Sequence, residues 1–247
     1  RDCADLVSAE LYDPRTGSWT ATGSLIQARG WHSATLLPSG MVLVAGGPST
    51  PRMVDGLASA ELYDPRTGSW IATGSVSSHH FSRAATRLPD GRVLMGGELY
   101  DPRSGSWTAT RSSFGSVTST LLLDGTVLVS GEHGPVQRYD PSTGTWTSGT
   151  SASGQGLFTA TLLPDGSVLA AGGAGDRSDD SFVADAELFD PISGTWTKTA
   201  SLNVARKFHT ATLLLDGRVL VAGGSTEIGD GWTRTTSAEL YGPGSGL

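Results

Sequence analysis

The sequence predicts an all-β protein made from five copies of one unit, and two recurring phrases are the basis for this prediction. The first phrase is Glu-Leu-Tyr-Asp-Pro-x-x-Gly-x-Trp or a weaker form of it. Its copies lie at Glu10–Trp19, Glu61–Trp70, Glu98–Trp107, Gln137–Trp146 and Glu187–Trp196, and an incomplete sixth starts at Glu239. The second phrase has a Thr-Leu-Leu-type run, an Asp-Gly or Ser-Gly pair, a Val-Leu-Val-type run and a Gly-Gly doublet. Alternation of two phrases with a period of roughly 40–50 residues is typical of repeat architectures whose units pack against their neighbours.

The second phrase predicts the first two strands of each unit. In the last unit, Thr210–Leu215 and Arg218–Ala222 flank Asp216-Gly217. An Asp-Gly pair between two apolar runs is a strong hairpin signal, because glycine accepts the positive φ that such turns require. The doublet Gly223-Gly224 follows, and we expect backbones to approach each other closely there.

The first phrase predicts the third and fourth strands. Ser237–Tyr241 alternates in polarity as a third strand does. In the complete units an Asp-Pro-x-x-Gly turn follows, in which Asp caps the turn, Pro sets φ and Gly takes the left-handed position. The Trp then opens a fourth strand, such as Trp19–Thr22. Five units of four antiparallel strands predict a five-bladed β-propeller that forms a single domain over residues 1–247.

These residues resemble the kelch-repeat family. The resemblance rests on the Gly-Gly doublet, the later Tyr-Asp-Pro, and the Trp about six residues beyond the Tyr, and it covers about residues 8–241. The runs Ala-Thr-Leu-Leu-Pro-Asp-Gly and Val-Leu-Val-Ala-Gly-Gly look most similar to bacterial kelch repeats. The resemblance implies a propeller fold but no single activity, because kelch propellers include interaction modules, isomerases, copper oxidases and lyase-like proteins.

Several features depart from that pattern. Gly96-Gly97 leads directly into Glu98, so the connection between strands two and three of that blade is missing. Strand three occurs six times and the other strands five times, because Ser8–Tyr12 and Ser237–Tyr241 are duplicates. We expect the N-terminal strands to close the ring by completing the blade that begins at Phe208. The alternatives are a window cut from a longer repeat protein and a surplus strand that reaches a second molecule, so we expect a monomer with a dimer as the alternative.

Composition excludes some classes of partner. The formal charge of −7 disfavours nucleic acid and anionic membranes as partners. No apolar run is long enough to span a membrane and no signal peptide is visible. The compartment stays open, with an extracellular or cell-surface location favoured over the cytoplasm. The single cysteine, Cys3, cannot form an internal disulfide.

The variable connections predict where a ligand binds. The long loops Pro48–Ala58, Ala174–Asp185 and Ser225–Thr236 all connect strand two to strand three. Alternating strand polarity places these loops and the starts of strand one at the same end of the blades, and variable loops on a rigid scaffold commonly carry function.

The strongest constellation precedes strand one. Equivalent positions in the five units, with those three residues later, give the predicted ligand-binding set Arg29, His32, His80, Arg83, Phe114, Gln155, Phe158, Arg206 and His209. Strand one is innermost in propellers that resemble kelch proteins, so these residues should converge near the channel mouth. Such a cationic, partly aromatic funnel suits a small anionic or polyhydroxylated ligand. The alternative is that these Arg and His residues only hydrogen-bond neighbouring blades.

Two functions follow from this set. The first is a binding module that holds a protein, a glycan or a small molecule. The second is an isomerase- or lyase-type enzyme in which His32, His80 or His209 is the acid–base group. Neither zinc-type spacing nor a Tyr-plus-Cys pair for copper is present, and residues 175–180 lack the calcium-loop pattern, so we expect no metal and no cofactor. The recurring Trp residues are expected in the core between blades, with the recurring Tyr residues.

Overall fold

The computed structural model describes residues 5–47, 56–77, 84–110, 118–131, 135–150, 152, 158–175, 181–229 and 231–242. Every regular element in these residues is a β-strand. The fold is an all-β, five-bladed β-propeller. The chain divides into two compact units, residues 1–116 and 117–247. In the described part of the chain, no helix has the length and hydropathy needed to cross a membrane.

The first unit contains a two-stranded ribbon followed by two complete blades, with sheet orders β1-β2, β3-β4-β5-β6 and β10-β9-β8-β7. Its strands are β1 Glu10–Asp13, β2 Ser18–Ala21, β3 Ser33–Leu36, β4 Val42–Ala45, β5 Ala60–Asp64, β6 Ser69–Thr73, β7 Ala85–Arg87, β8 Val93–Met95, β9 Glu98–Asp101 and β10 Ser106–Ala109.

The second unit contains the other three blades, with sheet orders β11-β12-β13-β14, β15-β16-β17-β18 and β19-β20-β23. Its strands are β11 Thr118–Leu121, β12 Val127–Ser130, β13 Gln137–Asp140, β14 Thr145–Ser148, β15 Thr159–Leu162, β16 Val168–Ala171, β17 Ala186–Asp190, β18 Thr195–Lys198, β19 Thr210–Leu213, β20 Val219–Ala222, β21 Ser225–Ile228, β22 Gly231–Arg234 and β23 Ala238–Tyr241.

Each blade has the predicted turn chemistry. In the turn between β5 and β6, the Asp64 carboxylate accepts the Arg66 backbone N–H at 2.9 Å. The Asp64 carbonyl accepts the N–H of Gly68, whose φ is +70°. The missing connection in the second blade is also confirmed, because Gly96 and Gly97 join β8 to β9 as a two-residue turn with φ of +55° and +82°.

Aromatic pairs are packed where strands three and four meet. Tyr63 and Trp70 are cross-strand partners with ring centroids 4.9 Å apart, and the pair recurs in the other complete blades. Tyr100 and Tyr139 are at most 1% exposed, as the core prediction requires. The tryptophans of the complete blades are only partly buried, because strand four is outermost.

Adjacent blades are joined by backbone contacts that depend on glycine. The Trp107 indole N–H donates to the Gly74 carbonyl at 2.8 Å, and the Gly74 N–H donates to the Gly105 carbonyl at 3.0 Å. A Cβ on Gly74 would lie 2.3 Å from that carbonyl oxygen. Thr73 and Tyr100 share a hydroxyl hydrogen bond of 2.8 Å across the same seam. The seam therefore fixes Gly at the end of strand four.

The fifth blade takes the C-terminal copy of strand three, and the N-terminal copy pairs with β2. β20 pairs with β23, and β1 pairs with β2 with Tyr12 opposite Trp19. β1 and β23 lie in segments of the same sequence, residues 8–12 and 237–241. β23 is much nearer to β20 along the chain, so its pairing needs a shorter loop and costs less entropy. The role of the N-terminal strands in closing the ring stays a prediction.

One of the predicted loops contains regular structure. Between residues 225 and 236, β21 and β22 pair as an antiparallel hairpin in which Glu227 lies opposite Trp232. Both residues are exposed. The loop 48–58 lies largely outside the described residues.

Candidate functional site

The candidate site is built on two equivalent segments that precede strand one, which we call lead-in segments: residues 29–32 before β3 and residues 206–209 before β19. Consecutive strands of each sheet are antiparallel, so each lead-in segment lies at the same end of its blade as the connection from strand two to strand three. In the fifth blade, Lys207 and Ser225 exchange backbone hydrogen bonds of 3.1 and 2.8 Å. The long hairpin therefore starts directly beside the lead-in segment.

Arg29 joins parts of the first blade through hydrogen bonds, and we call this arginine with its hydrogen-bond acceptors the fastener of the blade. Its Nη1 donates to the carbonyls of Gly46 and Ser59 at 3.0 and 2.9 Å. Its Nη2 donates to the Ser59 hydroxyl at 3.0 Å and to the Glu61 carboxylate at 2.9 Å. The side chains of Arg29 and Glu61 are 0% and 2% exposed. This guanidinium ties the lead-in segment to the glycine doublet and to strand three.

Arg206 repeats this arrangement in the fifth blade. Its Nη1 donates to the carbonyls of Gly223 and Ser237, both at 3.0 Å. Its Nη2 donates to the Ser237 hydroxyl at 2.8 Å and to the Glu239 carboxylate at 2.6 Å. The described side-chain hydrogen bonds of both arginines are therefore all within a blade, and ligand binding by either one stays a prediction.

The glutamate of the Glu-Leu-Tyr phrase completes this fastener and was missed as a functional position. Glu61 also accepts the backbone N–H groups of Ile26 and Gln27 at 2.7 and 3.0 Å. Glu239 accepts the backbone N–H groups of Asn203 and Val204. Hydrogen bonds from these N–H groups and Arg206 lower the Glu239 pKa although burial opposes them. The sequence alone did not signal this pairing, because the same Glu also recurs in units that have His80 or Gln155 in place of the arginine.

In the third unit both members of the charged pair are replaced. At the position equivalent to Arg29 the third unit has Phe114, and at the position equivalent to Glu61 it has Gln137. In the fourth unit only the arginine is replaced, because Gln155 stands with Glu187, which is 2% exposed. A buried glutamate at this position therefore does not require the arginine.

The lead-in segments also hold two aromatic residues in a strained backbone conformation. Trp31 and Phe208 have φ of +53° and +61°, and they are 47% and 48% exposed. A positive φ is unfavourable for a bulky side chain and persists only where surrounding contacts enforce it. Those contacts are visible: the Lys207 carbonyl approaches Gly224 so closely that a Cβ there would lie 2.6 Å from its oxygen. Neither aromatic was predicted as a site residue from the sequence, because a strained backbone conformation cannot be recognised from residue types.

The two described histidines differ in their surroundings. His32 is exposed as a residue, yet partial burial of its ring and the charge on Arg29 lower its pKa. His209 is 7% exposed, and burial followed by the charge of Arg206 lowers its pKa to about 4. Its Nε2 lies 3.0 Å from the Thr159 hydroxyl, and its Nδ1 has no hydrogen-bond partner among the described residues. His209 is therefore neutral at pH 7 and links the fourth and fifth blades.

Phe158 immediately precedes Thr159, whose hydroxyl lies 3.0 Å from His209 Nε2. It is 4% exposed and packs edge-on against Trp196 with ring centroids 6.4 Å apart. Within the second unit the structure thus places Phe158 next to Thr159, the partner of His209. Phe158 itself is a core residue in this arrangement, and its contact with a ligand stays a prediction.

The other predicted site residues, His80, Arg83, Phe114 and Gln155, lie outside the described residues. Arg29 and His32 belong to the first unit, and Phe158, Arg206 and His209 belong to the second. Convergence of the whole set at one channel mouth therefore stays a prediction.

An aromatic and charged surface surrounds the second lead-in segment. The Lys207 ammonium lies 4.4 Å from the centroid of the Phe182 ring and 5.7 Å from that of Phe208. The Glu227 carboxylate of the hairpin accepts the Phe182 backbone N–H at 3.0 Å. We call these four residues, together with Trp232 opposite Glu227, the aromatic shelf. They bring the long loops of the fourth and fifth blades together at one end of the second unit.

Metal-binding residues do not cluster in the part of the chain that is described. There, no group of three or more His, Cys, Asp or Glu side chains is placed to hold a metal ion. His209, the buried histidine, uses Nε2 for Thr159, and the carboxylates beside the arginines are engaged by N–H donors. The described residues therefore do not fit a metal.

Comparisons with known proteins bear on the fold. No protein-family model and no curated protein matches the chain. Among solved structures, a fungal alcohol oxidase with catalytic diversity among the AA5 family, in complex with copper, is similar to it with a TM-score of 0.70 and 21% identity. The similarity covers 91% of this chain and 55% of the oxidase chain, so the chain spans about half of the oxidase. At this identity the likeness shows the β-propeller fold alone.

Proposed function

We propose that this chain is a kelch-type propeller that acts as a binding module, with its ligand site on the long-loop end of the blades. The kelch assignment is supported by the structural roles of its signature residues. The Gly doublets take positive φ next to the lead-in segments, and the Tyr and Trp residues pair across strands three and four. Both recurring phrases of the repeat thus have a structural role in the scaffold. The variable loops at one end of the blades are therefore the part available for binding.

The observation that carries the proposal is the pair of exposed aromatics at positive φ, Trp31 and Phe208. A scaffold that served packing alone would place glycine there, because glycine takes this conformation without strain. A strained aromatic that remains half exposed has instead the form of a binding residue held in place by the fold. In the second unit the Lys207 ammonium lies 5.7 Å from the Phe208 ring and 4.4 Å from the Phe182 ring, and the Phe182 N–H donates to the Glu227 carboxylate.

The ligand classes we propose are a protein, a glycan or a small anionic or polyhydroxylated molecule. Aromatic rings at the rim give large contact area with little loss of conformational entropy, which suits a sugar ring or a protein surface. Since Arg29 and Arg206 already pair with carboxylates, the aromatic shelf rather than the arginines provides most of the affinity.

The alternative is an isomerase- or lyase-type enzyme with histidine as the acid–base group. Its support is the neutral state of His209, whose pKa is lowered to about 4. A neutral imidazole can accept a proton, but a pKa of about 4 makes His209 a weak base. Both of its nitrogens also lie inside the protein, and one is hydrogen-bonded to Thr159. The enzyme therefore requires His32, which is exposed, or His80, which lies outside the described residues.

Substitution of Phe208 by glycine tests the binding module. Glycine removes the ring and also the strain of the positive φ, so we expect the melting temperature to be unchanged or higher. We expect binding in a glycan-array and sugar-acid thermal-shift screen to fall at least about tenfold, or 1.4 kcal/mol. Ile192→Gly, in an exposed turn at the opposite end of the blades, is the matched control.

Two results would contradict the proposal. One is a wild-type chain that binds nothing in the screen, which would contradict the glycan and small-molecule ligand classes. The other is a Phe208→Gly variant that binds as well as wild type, which would leave the strained ring without a role in recognition. Turnover of a bound sugar acid, abolished by His32→Gln, would favour the enzyme.

A further inference from the structure

The hairpin β21–β22 has one face that borders the fourth blade. Glu227 lies opposite Trp232 in the ladder, and Arg234 follows Trp232 by two residues. Directly opposite residues, and residues two apart on one strand, have their side chains on the same face of a sheet. The Glu227 carboxylate accepts the backbone N–H of Phe182 in the long loop of the fourth blade at 3.0 Å. This face therefore lies at the seam between the fourth and fifth blades, both of which belong to the second unit.

Trp232 is the flat apolar part of this face. The residue is 67% exposed, and Glu227 and Arg234 beside it are also exposed. Opposite residues in an antiparallel pair have Cβ atoms about 4.5–5.5 Å apart, and residues two apart along a strand are separated by roughly 6.8 Å. An acceptor and a donor thus lie beside one exposed indole, close enough for one small molecule to contact all three. We call these three residues the hairpin face.

Two cations near this seam are already engaged inside the protein. The Arg206 side chain is 0% exposed and is paired with Glu239. Lys207 is 8% exposed, and its ammonium lies 4.4 Å from the centroid of the Phe182 ring and 5.7 Å from that of the Phe208 ring. Attraction between a cation and aromatic rings offsets part of the cost of burying the ammonium. The hairpin face itself offers a ligand one carboxylate and one guanidinium, so its charges cancel.

We propose that the hairpin face binds a neutral carbohydrate, with one pyranose ring stacked on Trp232. This inference rests on the proposed binding function and narrows its ligand classes to neutral sugars. A pyranose has an apolar C–H face, which suits an indole, and a rim of hydroxyl groups that both donate and accept hydrogen bonds. The Glu227 carboxylate accepts from one hydroxyl, and the Arg234 guanidinium donates to another.

Charge distinguishes a neutral sugar from a charged ligand at this place. A ligand carboxylate would be attracted by Arg234 but repelled by Glu227, and the chain as a whole has a net charge of −7. A cationic ligand would meet the reverse, with attraction by Glu227 and repulsion by Arg234. A neutral polyhydroxylated ligand uses both groups and is repelled by neither, so it gains most from this pair.

Saturation-transfer NMR titrations test this with matched probes. The neutral probes are the methyl glycosides of glucose, galactose and mannose, and the acidic probes are the corresponding methyl uronides. We expect wild type to bind at least one neutral glycoside, and to bind it at least about threefold more tightly than its uronide.

Three variants assign the contacts. Trp232→Ala should weaken binding of that glycoside at least about tenfold, and Trp232→Phe, which keeps an aromatic face, should weaken it less. Glu227→Gln keeps an acceptor for the Phe182 N–H but removes the charge, so it should reduce the preference for the glycoside over its uronide. Ile228→Ala is the matched control, because Ile228 is 66% exposed on the other face of the same hairpin. It should bind as wild type does.

Several results would overturn the proposal. They are a wild type that binds none of the neutral glycosides, a uronide that binds as tightly as its neutral counterpart, and a Trp232→Ala variant that binds as wild type does. Capture of a protein partner without binding of any glycoside would also overturn it, because the face would then recognise a macromolecule.

The same titrations separate this inference from the proposed function. If Phe208→Gly loses binding and Trp232→Ala does not, the binding module stands and only the hairpin face is wrong. If Trp232→Ala loses binding of the neutral glycoside and Phe208→Gly does not, the hairpin face is supported and the role of the strained aromatic is wrong.

Discussion

The fastener between Arg29 and Glu61 allows a stability prediction that separates a structural arginine from a ligand-binding one. Removing Arg29 leaves a carboxylate that is 2% exposed without its cation, together with the carbonyls of Gly46 and Ser59 without their donor. Breaking a buried pair by removing one partner typically costs about 3–5 kcal/mol. We expect Arg29→Ala to lower the free energy of unfolding by that amount, and Glu61→Gln to have a similar effect.

The double variant Arg29→Phe/Glu61→Gln gives the first blade the residue pair of the third unit. We expect its cost to be smaller than the sum of the single variants by about 2–3 kcal/mol, because neither charge is then left alone. Urea unfolding at pH 7 measures all three. Arg66→Ala removes a cation from an exposed pair in the same blade and is expected to change stability by no more than about 0.5 kcal/mol.

One outcome would refute this reasoning directly. If Arg29→Ala unfolds at the same urea concentration as Arg66→Ala, the guanidinium does not hold the lead-in segment in place. The arginine would then be available to a ligand, as the sequence had suggested. Strict additivity of the single variants would show in turn that Arg29 and Glu61 act independently.

Three further predictions concern the scaffold. The free energy of unfolding should fall by an amount of the order of 3 kcal/mol as pH falls from about 6.5 to about 4. The reason is that unfolding raises the His209 pKa from about 4 to its ordinary value, so the unfolded chain takes up a proton that the folded chain does not bind. His209→Gln should flatten this part of a pH series of unfolding curves. Gly74→Ala should lower the melting temperature strongly, since its Cβ would lie 2.3 Å from a backbone oxygen. Gly144→Ala has open space around it and should lower the melting temperature only through the backbone strain of its φ of +70°. Trp70→Phe should cost about 1 kcal/mol through loss of the indole hydrogen bond to Gly23; an unchanged urea midpoint would show that this bond adds nothing.

Much of the fold was predictable because the turn-forming residues recur in each repeat. The Asp and Gly of the turn from Asp64 to Gly68 form the hydrogen bonds that their identities demand. The two-residue turn at Gly96-Gly97 could be read from a deletion in the repeat. Which of two identical strands pairs with β20 could not be predicted from the pattern, because the choice between β1 and β23 depends on chain connectivity.

The candidate site was predicted less completely, and for a physical reason. Position in a repeat identified Arg29 and Arg206 as special, but only coordinates show that a glutamate two strands away accepts their hydrogen bonds. The left-handed backbone at Trp31 and Phe208 arises from close approach of a neighbouring glycine. Such a close approach arises only in the assembled blade, so no local sequence pattern predicts it.

In the fifth blade, the hydrogen bonds of Arg206 and the strained backbone of Phe208 are linked. In the fifth blade, Arg206 fixes the first residue of the lead-in segment by bonds to Gly223, Ser237 and Glu239. His209 fixes the last residue by its contact with Thr159 of the fourth blade. Phe208 lies between these two anchors and cannot relax its φ without moving one of them. A rigid, half-exposed ring loses little entropy when a ligand covers it, so the buried charge pair contributes to binding by holding the aromatic in place rather than by touching the ligand.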